Sequence, residues 1–78
     1  MPIEVYMPKL GNATNDGVLT KWLKKEGDLV KEGDELAEIE ENKLTATIQA
    51  YDSGKLEKIL VQEGEEVPVG TVIAYISK

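Results

Sequence analysis

The sequence contains no cysteine and no histidine. The first absence excludes disulfides and thiolate metal sites as props for the fold. The second removes the commonest general base and the commonest metal ligand together. Ser53 and Ser77 therefore have no histidine to complete a serine triad. Phenylalanine is also missing, and aromatic residues make up only 5% of the chain, so Leu, Ile and Val must build the core. No apolar run is long enough to cross a bilayer. The first residues, Met1-Pro2-Ile3-Glu4-Val5-Tyr6, have neither the basic and apolar regions of a signal peptide nor the Arg and Ser of a transit peptide. A cytoplasmic location is the expectation.

What remains is a chain of 78 residues, 41% hydrophobic and 31% charged, which reads as globular rather than disordered. That length allows one domain, residues 1–78, with a thin core. The formal net charge of -6 repels nucleic acid and anionic membranes, and favours basic surfaces on other proteins.

The most informative feature is an internal repeat. Residues 17–40 align without gaps on residues 54–77, an offset of 37. Gly17, Leu19, Lys21 and Leu23 recur as Gly54, Leu56, Lys58 and Leu60. Glu26, Gly27, Val30, Gly33, Ala37 and Ile39 recur as Glu63, Gly64, Val67, Gly70, Ala74 and Ile76. Two copies are too few for a solenoid and indicate one domain with quasi-two-fold symmetry. In each copy a β-rich run (Val18 to Leu23; Leu56 to Val61) leads into Glu-Gly-Asp or Glu-Gly-Glu. A short segment around Val30 or Val67 follows, then a second glycine and a second run (Glu35 to Ile39; Val72 to Ile76). The glycines and Pro68 leave no room for a long helix, even across Lys21-Trp22-Leu23-Lys24-Lys25-Glu26. Trp22 reads as a partly buried packing residue.

Between the copies, Ala46, Ile48 and Ala50 alternate with Thr45, Thr47 and Gln49, the period of a half-buried strand. Ala37 and Ile39 alternate likewise with Glu38 and Glu40. The intervening Glu41-Asn42-Lys43-Leu44 fits a tight hairpin, and Asn42 tolerates turn geometry. Lys43 is therefore expected at an exposed tip. Tyr51-Asp52-Ser53-Gly54 marks another turn. Short strands with regular turn signals indicate an all-β flattened barrel or sandwich. Glu35, Glu38, Glu40 and Glu41 lack calcium-loop spacing and read as a solvated face, so no metal site is expected. Glu26, Asp28, Glu63 and Glu65 read as turn residues.

Leu36-Ala37-Glu38-Ile39-Glu40-Glu41-Asn42-Lys43-Leu44-Thr45 resembles the lipoylation motif of lipoyl domains, which belong to acyltransferase components of 2-oxo acid dehydrogenase complexes. Met7-Pro8-Lys9-Leu10-Gly11, Gly17, Lys24-Lys25-Glu26-Gly27-Asp28, Glu63-Gly64 and Val67-Pro68-Val69-Gly70 also sit where that family has them. The resemblance covers essentially the whole chain. It implies a barrel-sandwich hybrid of two small antiparallel sheets, with lipoate attached to Lys43. Asn42 stands where the family usually has Asp, and Leu44 where it usually has Ala. These two, with Glu40 and Glu41, are the expected recognition residues. The Lys-Leu-Thr variant resembles acetoin-type systems.

By this resemblance the chain is a carrier and not an enzyme. A lipoate ligase, or an octanoyltransferase with lipoyl synthase, would modify Lys43 and remove its charge. A thiamine-diphosphate dehydrogenase component, the acyltransferase core and a flavin-containing dihydrolipoyl dehydrogenase would then be served in turn. The cofactor carries the chemistry, and the protein supplies position and recognition. The isolated domain is expected to be a monomer. The nearest alternative is a biotinyl carrier, whose lysine is usually flanked by methionine on both sides. A glycine-cleavage H-protein is a more distant one, since such chains are longer. An unmodified structural barrel-sandwich module needs no reactive lysine at all.

Overall fold

A computed structural model describes residues 2–12 and 15–78 of the chain. These residues form strands and turns, without a helix: β1 (Ile3–Tyr6), β2 (Asp16–Trp22), β3 (Leu29–Val30), β4 (Glu35–Glu41), β5 (Leu44–Gln49), β6 (Gly54–Ile59), β7 (Glu66–Pro68) and β8 (Val72–Ser77). The strands make two four-stranded sheets, in the orders β1-β8-β6-β3 and β5-β4-β2-β7. All pairings are antiparallel. This is the all-β architecture that the turn signals imply, with the two small antiparallel sheets that the resemblance implies.

The repeat explains the topology. Strands β2, β3 and β4 come from the first copy, and β6, β7 and β8 from the second. The copies do not stand side by side. The first copy's β3 pairs with the second copy's β6, through Leu29↔Lys55 and Val30↔Gly54. The second copy's β7 pairs with the first copy's β2, through Gly17↔Val67 and Val18↔Glu66. Each half thus lends its short middle strand to the other's sheet, and neither half completes a sheet alone. The outer strands obey the same symmetry. β1 lies on β8 with Val5↔Ala74, and β5 lies on β4 with Ala37↔Ile48.

Even the irregularities are duplicated. Leu36 in β4 and Ile73 in β8 are skipped in the strand registers at equivalent points. Such an extra residue bends a strand and lets two consecutive side chains turn inward. Leu36 and Ala37, and likewise Ile73 and Ala74, are all fully buried.

The core is a set of matched aliphatic pairs: Leu19 with Leu56, Leu36 with Ile73, Ile39 with Ile76, Val5 with Ile48. Burying each such side chain contributes about 1.5–3 kcal/mol, and these pairs provide the cohesion that disulfides supply in other small domains. Trp22 packs against this core at its rim, and its indole N–H donates to Val61 O at 2.8 Å.

The turns close the structure by reciprocal contacts. Glu26 accepts from Ile59 N–H at 2.7 Å, and Glu63 accepts from Trp22 N–H at 2.8 Å. Reading these glutamates as turn residues is thus incomplete, because each carboxylate reaches across to the other half. Asp28 and Glu65 do act locally, accepting from Lys25 N–H and Gln62 N–H within their own turns.

Candidate functional site

The hairpin between β4 and β5 is closed by the pair Glu41↔Leu44, leaving Asn42 and Lys43 as its two-residue turn. Both have positive φ, 48° at Asn42 and 68° at Lys43. A two-residue turn with both central residues left-handed matches the right-handed twist of the strands it joins. Asn adopts this region readily, whereas Lys does so at a cost. The turn therefore holds Lys43 in one strained, well-defined position instead of on a loose loop. Lys43 is exposed.

The tip lies far from the C-terminal end. β5 leaves the tip at Leu44 and runs to Gln49, and the chain then turns through Tyr51 and Asp52. Lys78 Nζ lies 3.0 Å from Asp52 Oδ2. The C-terminal lysine is thus anchored at the end of β5 opposite the tip, about 20 Å away for a six-residue strand. The molecule measures 34 × 20 × 17 Å, elongated enough to separate the two ends. The Lys78 ammonium and the Ser53 N–H hold the Asp52 carboxyl below its usual range.

Not all the expected recognition residues share the tip's surface. Glu40, Asn42 and Leu44 are exposed around Lys43. Glu41 is not: it is 1% exposed, the one charged residue in the core of the described chain. The solvated-face reading of the acidic cluster therefore holds for Glu35, Glu38 and Glu40 but not for Glu41. Its phase is the reason. Ala37 and Ile39 point inward, and Glu41 continues their alternation. The segment after β1 covers the buried carboxylate, with Leu10 N–H donating to Glu41 Oε1 at 2.9 Å. The period-two pattern held this signal, but the covering segment is distant in sequence and could not be placed from it.

The outer face of the same sheet is acidic. Glu40, Val18 and Glu66 form one cross-strand row, with Thr45 beside Glu40 and Thr47 beside Glu38. The ion pairs found among the described residues, Lys55–Glu57 and Lys78–Asp52, involve none of these glutamates. No group of three or more potential ligands among the described residues is arranged to hold a metal. None of the described helices could cross a membrane, since there are none.

An exposed primary amine on a two-residue turn of a pseudo-symmetric sandwich is the arrangement that a carrier-type domain requires. The family described as Biotin-requiring enzyme, the biotin/lipoyl family, matches residues 3–76. The chain is 51% identical over 79 aligned residues to the dihydrolipoyllysine-residue acetyltransferase component of the pyruvate dehydrogenase complex from Zymomonas mobilis, covering 100% of this chain and 18% of that protein. It is 47% identical over 76 residues to the corresponding component of the acetoin cleaving system from Bacillus subtilis, covering 97% of this chain and 19% of that one. Among solved structures, Kluyveromyces lactis urea carboxylase superposes with a TM-score of 0.83 and 30% identity, over 99% of this chain and 6% of that one. The lipoyl domain of the Azotobacter vinelandii 2-oxoglutarate dehydrogenase complex superposes with a TM-score of 0.76 over 95% of this chain and 96% of that one. Its 24% identity bears on the fold alone. The chain belongs to the biotin/lipoyl attachment family. It spans about a fifth of the length of the curated relatives it matches.

Proposed function

We propose that Lys43 is the covalent attachment point of lipoate, and that the chain is a swinging-arm carrier in a pyruvate, acetoin or related 2-oxo acid dehydrogenase complex. One observation carries this reading: the Lys43 amine stands exposed on the two-residue turn at the tip of the β4–β5 hairpin. A group that must enter several active sites in turn needs a protruding point of attachment. Tethering the group raises its local concentration at each site. The residues present fit such an arm, because the tip offers an exposed amine on a two-residue turn.

Attachment joins the Lys43 nitrogen to an activated carboxyl carbon. The leaving group departs, the amine loses its proton, and a neutral amide results. When attached, the dithiolane supplies the acyl- and electron-carrying chemistry. The chain's own residues fix the point from which the arm swings. Glu40 and the acidic row beside it offer charge to a basic partner surface, while Asn42 and Leu44 shape the immediate surroundings of the amine. The partners proposed are a lipoate ligase or an octanoyltransferase with lipoyl synthase, a thiamine-diphosphate dehydrogenase component, the acyltransferase core and a dihydrolipoyl dehydrogenase. All must be met in one compartment, which we take to be the cytoplasm.

The biotin alternative draws support from the urea carboxylase likeness. Against it stand the acetyltransferase relatives and the Asn42 and Leu44 flanks. Coexpression with a lipoate ligase or a biotin ligase, each with its cofactor, decides by intact mass. Lipoyl addition that vanishes in Lys43→Ala is the expected result. Biotin addition transfers the site to the alternative, and no addition by either enzyme leaves a structural module.

A further inference from the structure

Glu41 has no part in the attachment chemistry, yet it is the most unusual side chain in the fold. Its carboxylate is buried two residues before Lys43. Oε1 accepts from Leu10 N–H at 2.9 Å, and buried Oε2 has no hydrogen-bond partner among the described residues. A carboxylate so placed carries a desolvation cost that a neutral or apolar residue would avoid. Stability alone does not account for its presence.

The surroundings indicate what it does. Leu10 belongs to the segment between β1 and β2, whose described residues form no strand. Met7 is buried, and its sulfur and the Glu41 side chain both lie close to Gly17. A Cβ on Gly17 would come within 2.7 Å of Met7 Sδ and 3.0 Å of both Glu41 Cγ and Oε2. The glycine thus leaves room for the Glu41 side chain to pass inward from the hairpin and reach the Leu10 backbone. Charge-assisted hydrogen bonds of this kind are stronger than neutral ones. This contact ties the segment after β1 directly to the strand end that carries the lysine turn.

Resting on the carrier reading above, we propose that Glu41 is a positioning residue for partner recognition at Lys43. It clamps the Pro8–Asn12 segment against the hairpin, so that an enzyme approaching the amine meets segment and turn as one preformed surface. The turn itself is set by the Asn42 and Lys43 dihedrals and by the ladder of β4 with β5. Loss of the clamp therefore leaves the amine chemically competent and loosens the surface around it. Ordering that segment then opposes docking, so the deficit belongs in KM for the domain and not in kcat.

The test uses the 78-residue chain as substrate for a lipoate ligase, with initial rates at varied domain concentration. Wild type, Glu41→Ala, Glu41→Gln and Gly17→Ala are compared, with hydrogen exchange at the Leu10 amide measured for each. The expected result for Glu41→Ala is a KM raised about tenfold, kcat within about twofold, and faster exchange at Leu10. Glu41→Gln keeps an oxygen for the Leu10 N–H and restores KM to near wild type. Gly17→Ala, which displaces the carboxylate without altering it, raises KM in the same direction. If Glu41→Ala does not fold, the last two variants still decide: a wild-type KM in Gly17→Ala together with faster Leu10 exchange overturns the clamp. Equal KM in every folded variant overturns it too, as does a loss confined to kcat. A wild-type chain that the lipoate ligase leaves unmodified overturns the lipoyl reading, and this proposal with it.

Discussion

The carboxylate of Glu63 accepts the backbone N–H of Trp22 across the interface between the two repeats, and Glu26 does the same for Ile59. Lys21 and Lys58, the residues just before these N–H groups, follow register shifts in β2 and β6. The glutamates thus provide acceptors near points where the strand ladders are interrupted. Glu63→Ala and Glu26→Ala should each destabilise the domain by about 1 kcal/mol, the usual net worth of one such bond. The losses should be similar because the contacts are symmetry-related. Urea unfolding followed by Trp22 fluorescence measures both. Removing Glu63 should also perturb the Trp22 emission of the folded state, whereas removing Glu26 should not.

Lys43 and the fold have opposed interests. A lysine at a φ of 68° carries strain that glycine would not. Lys43→Gly should therefore raise stability by about 1 kcal/mol while abolishing cofactor attachment. A higher urea midpoint with an unchanged slope is the expected signature. An unchanged or lowered midpoint would mean that the turn is not strained at this residue.

Gly17 and Gly54 occupy the same place in the two copies but have different neighbours. A Cβ on Gly54 would lie 2.3 Å from the Ser77 carbonyl oxygen, a backbone atom held in the sheet. The atoms nearest a Cβ on Gly17 would belong to the flexible side chains of Met7 and Glu41. Gly54→Ala should thus destabilise the domain markedly more than Gly17→Ala. Thermal melts of the two variants, compared side by side, measure the order.

Asp52 titrates below the ordinary carboxylate range because of the Lys78 ammonium and the Ser53 N–H. A lowered folded-state value adds stability above the unfolded carboxylate value, and that stability is lost as pH falls through the folded one. The group is solvent-exposed, so the effect belongs in its titration curve and not in a large stability change. Lys78→Ala should move the Asp52 midpoint upward, as read from its carboxyl chemical shift.

Much of this architecture was legible in the chain itself. The 37-residue offset predicted the matches of Leu19 with Leu56 and Ile39 with Ile76, and the Ala37–Ile39 and Ala46–Ile48 alternations located the hairpin that presents Lys43. The exchange of β3 and β7 between halves was not legible, because pairing partners of such short strands are fixed by the assembled sheets. Nor did identity relate β1 to β5: Ile3, Val5 and Met7 match Ala46, Ile48 and Ala50 in pattern but not in residue type. The burial of Glu41 was hidden by composition, since four clustered glutamates read together as one polar face. Its phase with Ala37 and Ile39 separates it from Glu40, but the segment that covers it is distant in sequence.

The central claim, that the turn selects one amine by position, is tested most directly by exchanging Asn42 and Lys43. The double variant Asn42→Lys/Lys43→Asn keeps composition, net charge and turn length while displacing the amine by one residue. Offered to a lipoate ligase beside the wild type and analysed by peptide mass, the wild type should carry the lipoyl group on Lys43 and on no other lysine. The folded exchange variant should carry none. Comparable labelling of the displaced lysine, or of lysines elsewhere in the wild-type chain, would contradict the account.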